Sequence, residues 1–187
     1  MTTSFYHDIG GGTDPGAPAS GTGRLSADSN GNLQQTKNGG TTVKLIGGGA
    51  GASTNPADPT GNATTTLTMM GLAGTFTPTK SGNVLVLFSF NGTNSTATAG
   101  DGVRAQLSYG TGAAPANAAT LTGIQVGPIV TSVLERATAS DLQGLSLHWL
   151  ITGLTIGTAY WYDLAVSAVV GGTGQVKNIA MTAIEIS

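Results

Sequence analysis

This 187-residue chain contains no cysteine, and only 9% of its residues are charged and 5% aromatic. Without cysteine it has no disulfide framework and no thiolate-ligated zinc. Seven Lys and Arg residues scattered along a chain of net charge −2 make no polyanion surface, so no nucleic-acid partner is expected. The Ala/Glu/Lys/Leu/Arg-rich composition of long helices and coiled coils is also missing. Two histidines limit acid–base chemistry from the outset. What the chain does have is 30 glycines and 39% hydrophobic residues, too many of the latter for disorder throughout.

The first residues lack the basic region and apolar run of a signal peptide. Residues 143–162 contain no Asp, Glu, Lys or Arg, but Gly153-Leu154-Thr155-Ile156-Gly157 interrupts them. Two strands around a turn are expected there, with no membrane insertion.

Four regions follow from the punctuation. Residues 1–22, rich in Gly, Pro, Ala and Ser, read as an extended arm, either flexible or ordered by laying onto a partner, the aromatic pair Phe5-Tyr6 favouring the second. Its tip, Phe5, Tyr6, His7 and Asp8, is the expected attachment segment. Residues 23–47 read as a meander of three short strands with turns at Asp28-Ser29-Asn30-Gly31 and Asn38-Gly39-Gly40. Its few large apolar side chains, including Leu25, Leu33 and Val43, make too small a core to order it alone, so these three are expected at contacts with copies of the chain. Residues 48–62 read as a Gly/Pro linker.

Strand signals then become dense, at 64–70, 74–77, 83–90, 103–109, 124–134, 145–152, 158–170 and 176–186. Eight strands with Gly-rich turns predict a sandwich over 63–187, a jelly roll in preference to a seven-stranded immunoglobulin-like fold. Asn91-Gly92 is expected to close the third strand, and 131–139 to hold one or two helical turns at most. Strand 83–90 is apolar on both faces, with Val84, Val86, Phe88 and Phe90 on one and Leu85 and Leu87 on the other. The last strand also has small and apolar residues on both sides. Such strands predict a face covered by another subunit. Leu85, Leu87, Ile179 and Met181 are the expected contacts, in an obligate oligomer.

No catalytic set assembles. Ser146 or Ser167 with His148 and Asp163 resembles a triad only in composition, and no G-x-S-x-G is present. Asp163, inside the apolar run Tyr160-Trp161-Tyr162-Asp163-Leu164, reads as a carboxylate satisfied by backbone amides, Arg104 or Arg136. Asp28-Ser29-Asn30-Gly31-Asn32 begins like a calcium loop but has its glycine at the fourth position and Gly39 at the twelfth. No metal, cofactor or enzymatic activity is expected.

Two stretches carry a resemblance. Pro15-Gly16-Ala17-Pro18-Ala19-Ser20-Gly21 followed by Arg24-Leu25-Ser26-Ala27-Asp28-Ser29-Asn30-Gly31-Asn32-Leu33 resembles a short unit of tailed-bacteriophage fibre and head-fibre proteins. The family usually has an aromatic where this chain has Ser26. The runs Gly74-Thr75-Phe76-Thr77-Pro78 and Tyr109-Gly110-Thr111-Gly112-Ala113-Ala114-Pro115-Ala116-Asn117, with the Ala183-Ile184-Glu185 ending, are similar to a domain recurring in phage virion proteins. In strand logic that domain is comparable to trimeric tumour-necrosis-factor-like jelly rolls. The resemblance implies a homotrimer on the virion surface, assembled in a bacterial cytoplasm. Its small collar and arm would sit on a major capsid or other virion protein, and its head would serve as decoration or a short head fibre. The alternative is a receptor-binding tail-fibre tip recognising a bacterial surface glycan through Asn91, Asn94, Asn117, Thr120 and Gln175.

Overall fold

A computed structural model describes residues 51–96, 98–133 and 141–186, together with the backbone pairing of four short strands nearer the N-terminus. Contacts divide the chain into two units, Met1–Gly48 and Gly49–Ile186. Among the described residues every regular element is a strand.

In the first unit β1 (His7–Asp8), β2 (Arg24–Ala27), β3 (Leu33–Thr36) and β4 (Thr42–Lys44) form a sheet in chain order. β2, β3 and β4 are an antiparallel meander. β1 lies parallel to β2, with His7 opposite Leu25 and Asp8 opposite Ser26. The expected arm therefore contributes a strand at His7–Asp8, and the long connection to Arg24 is what a parallel return requires. Phe5, Tyr6 and the calcium-like turn at 28–32 lie outside the described residues.

The second unit contains β5 (Gly51–Thr54), β6 (Thr68–Met69), β7 (Gly74–Phe76), β8 (Val84–Asn94), β9 (Gly102–Thr111), β10 (Ile124–Val133), β11 (Gln143–Ile151), β12 (Tyr160–Ala168) and β13 (Gly174–Glu185). They form two antiparallel sheets, a β-sandwich. One has the order β11-β8-β13-β5; the other runs β10-β9-β12, with β6 and β7 both paired to the far edge of β12. Of the connections, only β6 to β7 and β9 to β10 stay within one sheet. Between the sheets lie Val84, Val86, Phe88, Leu107, Tyr162, Leu164, Val176 and Met181, all at or below 1% exposure. Alternation on β8 explains its core face.

Four expectations change. Gly51–Thr54, expected in the linker, is strand β5, paired with Met181–Ile184 of β13. Asn91-Gly92 does not turn; β8 continues to Asn94. A Cβ at Gly92 would stand 2.6 Å from Val103 Cγ1 and 2.8 Å from Leu145 Cδ1, so this glycine permits close packing inside a strand. Residues 131–133 belong to β10, and 134–139 lie outside the described residues. Ile179 and Met181, expected at a subunit contact, are 3% and 0% exposed and belong to the core. The reason is a bulge between Lys177 and Ala180, where Asn178 takes φ +52°. It keeps Val176, Ile179 and Met181 on one side of the strand. No helix among the described residues is long and apolar enough to cross a membrane.

Candidate functional site

The buried carboxylates come first, because any hydrolytic chemistry would rest on them. β6 and β7 would be one strand but for a break. Met69 lies opposite Ala165 and Gly74 opposite Tyr162, so residues 70–73 bulge over 163–164. Asp163 fills that break. Its carboxylate accepts the amides of Gly71 at 2.8 Å, Leu72 at 3.1 Å and Leu164 at 2.8 Å. Burial pushes its pKa up to about 6, against the pull of those amides. Of the partners the sequence offered Asp163, backbone amides alone form the hydrogen bonds seen here.

Gly71 has φ +69°, and a Cβ there would sit 2.4 Å from the Asn117 amide nitrogen. Gly71→Ala should therefore lower the unfolding free energy by about 2 kcal/mol or more, read as a shifted urea midpoint with unchanged slope.

Glu185 is a second such device, and sequence reasoning missed it. Its carboxylate accepts the amides of Thr79 (2.9 Å), Lys80 (2.7 Å), Ser81 (2.7 Å) and Gly82 (3.2 Å), and the Thr79 hydroxyl (3.0 Å). Burial alone would raise its pKa, but the Thr79, Ser81 and Lys80 amides and that hydroxyl hold it at about 2. A Pro-Thr-Lys-Ser-Gly turn followed a hundred residues later by a strand-end glutamate carries no local signal of this pairing. Asp101 likewise accepts the Gly171 amide at 2.8 Å and the Thr96 hydroxyl. These three carboxylates all organise turns.

The triad residues are not brought together. Ser146 and His148 are exposed on β11, in one sheet, whereas Asp163 and Ser167 are fully buried on β12, in the other. Among the described residues no three His, Asp or Glu side chains gather to hold a metal.

The expected ligand positions scatter. Asn94 is fully buried, donating to the Gly102 and Gly171 carbonyls and accepting from Thr96, which leaves it nothing to offer a sugar. Asn117 is exposed, but its amide donates to the Thr60 and Met70 carbonyls. Thr120 is exposed, and Asn91 and Gln175 are half-buried.

β12 is buried on both faces, and this chain covers both. Trp161 and Ala165, on its outer side, pack with Met69 beneath Leu67, Ala114, Ala119 and Leu121. The Trp161 indole donates to the Thr111 carbonyl at 3.2 Å. The Gly/Ala-rich run after Tyr109 is thus a flap over the sheet, its small side chains allowing close approach.

Among the described residues, the outer face of the β11-β8-β13-β5 sheet has no such cover. Cross-strand rows run Leu150-Leu85-Ile184-Gly51, then His148-Leu87-Thr182-Ser53, then Ser146-Ser89-Ala180. Leu150 and Ile184 are 46% and 41% exposed, and Leu85 and Leu87 are half-buried. No carboxylate, Lys or Arg stands in these rows. Small residues between large ones leave a hollow of about 260 Å³ lined by Leu87, Ser89, Ser146, His148, Ala180 and Thr182. A second, about 330 Å³, lies among Leu85, His148, Trp149 and Leu150.

A different apolar patch follows the neighbouring edge strands β10 and β11. There Ile124, Ile129, Val133, Leu142 and Trp149 are between 40% and 56% exposed, and the Trp149 ring lies over Gly127.

No protein-family model matches this chain, and no curated protein matches it. Among solved structures it is similar to dimeric latent PorU from Porphyromonas gingivalis, at 12% identity and a TM-score of 0.37. The match covers 74% of this chain and 13% of that one.

Proposed function

We propose that this chain is a non-enzymatic structural protein of a tailed-phage virion, a homotrimer that its N-terminal segment holds on the capsid or another virion protein. Gly49–Ile186 is then the projecting head, as decoration or a short head fibre. The observation that carries the assembly is the outer face of the β11-β8-β13-β5 sheet, uncharged in its three rows from Leu150 to Ser146 and exposing Leu150 and Ile184. Such a face is uncommon on a monomer. The second patch along β10 and β11 favours a ring. An isologous dimer uses one patch twice, whereas a heterologous contact joins two different patches and closes by rotation.

Strand order supports a jelly-roll head. Counted as one interrupted strand, β6 and β7 complete two four-stranded sheets whose connections pass between sheets except at β9–β10. The engagement of Asp163, Glu185 and Asp101 with turn amides supports a scaffold role over hydrolysis.

Light scattering on the full chain should give three times the monomer mass. Leu87→Glu should weaken the trimer at least ~100-fold by placing an unpaired charge in the contact, about 2.7 kcal/mol, with the fold retained. Deleting residues 1–22 should leave a trimer that no longer attaches to particles. A monomer at tens of micromolar would refute the assembly.

A further inference from the structure

We infer that the flap over β12 is an acid-locked lid, which opens together with residues 70–73 and opens more readily once the Asp163 carboxyl beneath it has ionised. The lid belongs to a single chain and does not depend on the proposed assembly. The flap, residues 112–121, buries little of its own surface. Ala114, Pro115, Ala119 and Leu121 are half-buried and the rest of the run is exposed, so apolar burial holds it weakly. Its fastenings converge on the break beside Asp163. Met69 donates its amide to the Ala119 carbonyl at 2.9 Å, and Ala118 donates to the Met69 carbonyl at 2.8 Å. The Asn117 side chain donates to the Met70 carbonyl at 3.2 Å. Ala118 in the flap and Ala73 at the end of the break hold φ of +65° and +52°, strained for residues with a Cβ, and opening releases that strain.

The order of layers makes Asp163 the latch. The Asn117 backbone lies on Gly71, and the Gly71 and Leu72 amides lie on the carboxylate. Lifting the flap with the break therefore admits water to Asp163 and uncovers the floor of Met69, Trp161 and Ala165. Among the described residues no charge competes for this position. β9 places Ser108, fully buried with an unpartnered hydroxyl, directly opposite Asp163, then Gln106, and Arg104 only opposite Ser167. β6, β7, the break and the flap contain no ionisable residue, and β10 reaches this level at Gln125. Tyr162 and Leu164 face the core. Asp58, in the segment before β6, accepts the Asn178 amide of the other sheet.

In the closed chain burial outweighs the amides and Asp163 titrates at about 6, whereas opening to water returns it toward the ordinary 3.8. The closed form therefore holds the proton more tightly. Proton-linked closure is full below about pH 3.8 and is lost as pH rises through 6. Between pH 4 and 7.5 the opening constant should rise by up to ~60-fold.

Amide hydrogen exchange of the full chain at pH 4 and 7.5, divided by intrinsic exchange rates, tests this. Met69 and Ala118 report the flap, and the amides of β8, central in the other sheet, report global unfolding. The flap amides should open at least ~10-fold more often than those of β8 at either pH. Their opening should be ~10- to 60-fold greater at pH 7.5 than at pH 4. Asp163→Asn keeps an acceptor and cannot titrate, so its flap should open alike at both. Asn117→Ala, at an exposed position, should raise flap opening ~5-fold at both pH values and leave β8 unchanged. Flap amides that exchange only in step with β8 would overturn the lid, as would an unchanged flap in Asn117→Ala. Opening that is insensitive to pH, or still sensitive in Asp163→Asn, would overturn the latch.

Discussion

Asp163→Ala should lower the unfolding free energy by about 3–5 kcal/mol, the largest single loss expected outside the hydrophobic core. The substitution strands the amides of Gly71, Leu72 and Leu164, which have no other acceptor in the break between β6 and β7. It also releases the bulge that carries Met70 and Leu72 into the core. Equilibrium urea unfolding checks it, and a change below about 1 kcal/mol would mean the bulge is held by packing alone. The pH dependence runs opposite to that of most carboxylates. The folded pKa of about 6 lies above the ordinary 3.8, so the folded chain takes up this proton before the unfolded chain does. Its protonation-linked stability is full below about pH 3.8 and is lost as pH rises through 6. At 1.36 kcal/mol per pKa unit the difference is at most about 3 kcal/mol. Asp163→Asn, which cannot titrate, should remove that slope while keeping an acceptor.

Glu185→Ala should cost about 2–4 kcal/mol, because four consecutive turn amides from Thr79 to Gly82 lose their common acceptor. Glu185→Gln keeps one carbonyl oxygen and the turn's shape, so about half that loss is expected. Here the sign is the usual one. The folded pKa of about 2 lies below 4.5, so this stability is present above pH 4.5 and disappears as pH falls toward 2. Its size is about 2 kcal/mol after allowance for screening at the chain's periphery. Together the two groups place the stability maximum near pH 4–5, between their opposed slopes. Urea midpoints taken from pH 3 to 7 on the wild type and on both isosteric variants separate the contributions. A wild-type profile flat between pH 6 and 4 would remove the Asp163 argument, and one flat below pH 4 the Glu185 argument.

Local chemistry determined a good deal. Alternating apolar residues, β-branched side chains and Gly turns mark β8 to β13 to within a few residues, because strand period and turn preference are properties of short stretches. Two histidines and no cysteine limit the acid–base and thiol chemistry open to the chain. What local chemistry could not determine is which face of a strand meets what. β12 and β8 both carry large apolar side chains on two sides. Yet the second side of β12 is roofed by the chain's own run after Tyr109, whereas that of β8 has no cover among the described residues.

Ile179 and Met181 reached the core through a bulge that resets the alternation, and Gly92 serves packing where an Asn-Gly pair suggested a turn. Asp163 meets an amide 92 residues away, and Glu185 one 106 residues away. The sequence by itself determined where strands form and that they pair in an all-β chain. Only the tertiary structure decided which apolar faces are spent inside this molecule and which carboxylates bind its turns. Propensity acts over a few neighbouring residues, whereas burial and amide capture depend on segments that meet only once the sandwich has closed.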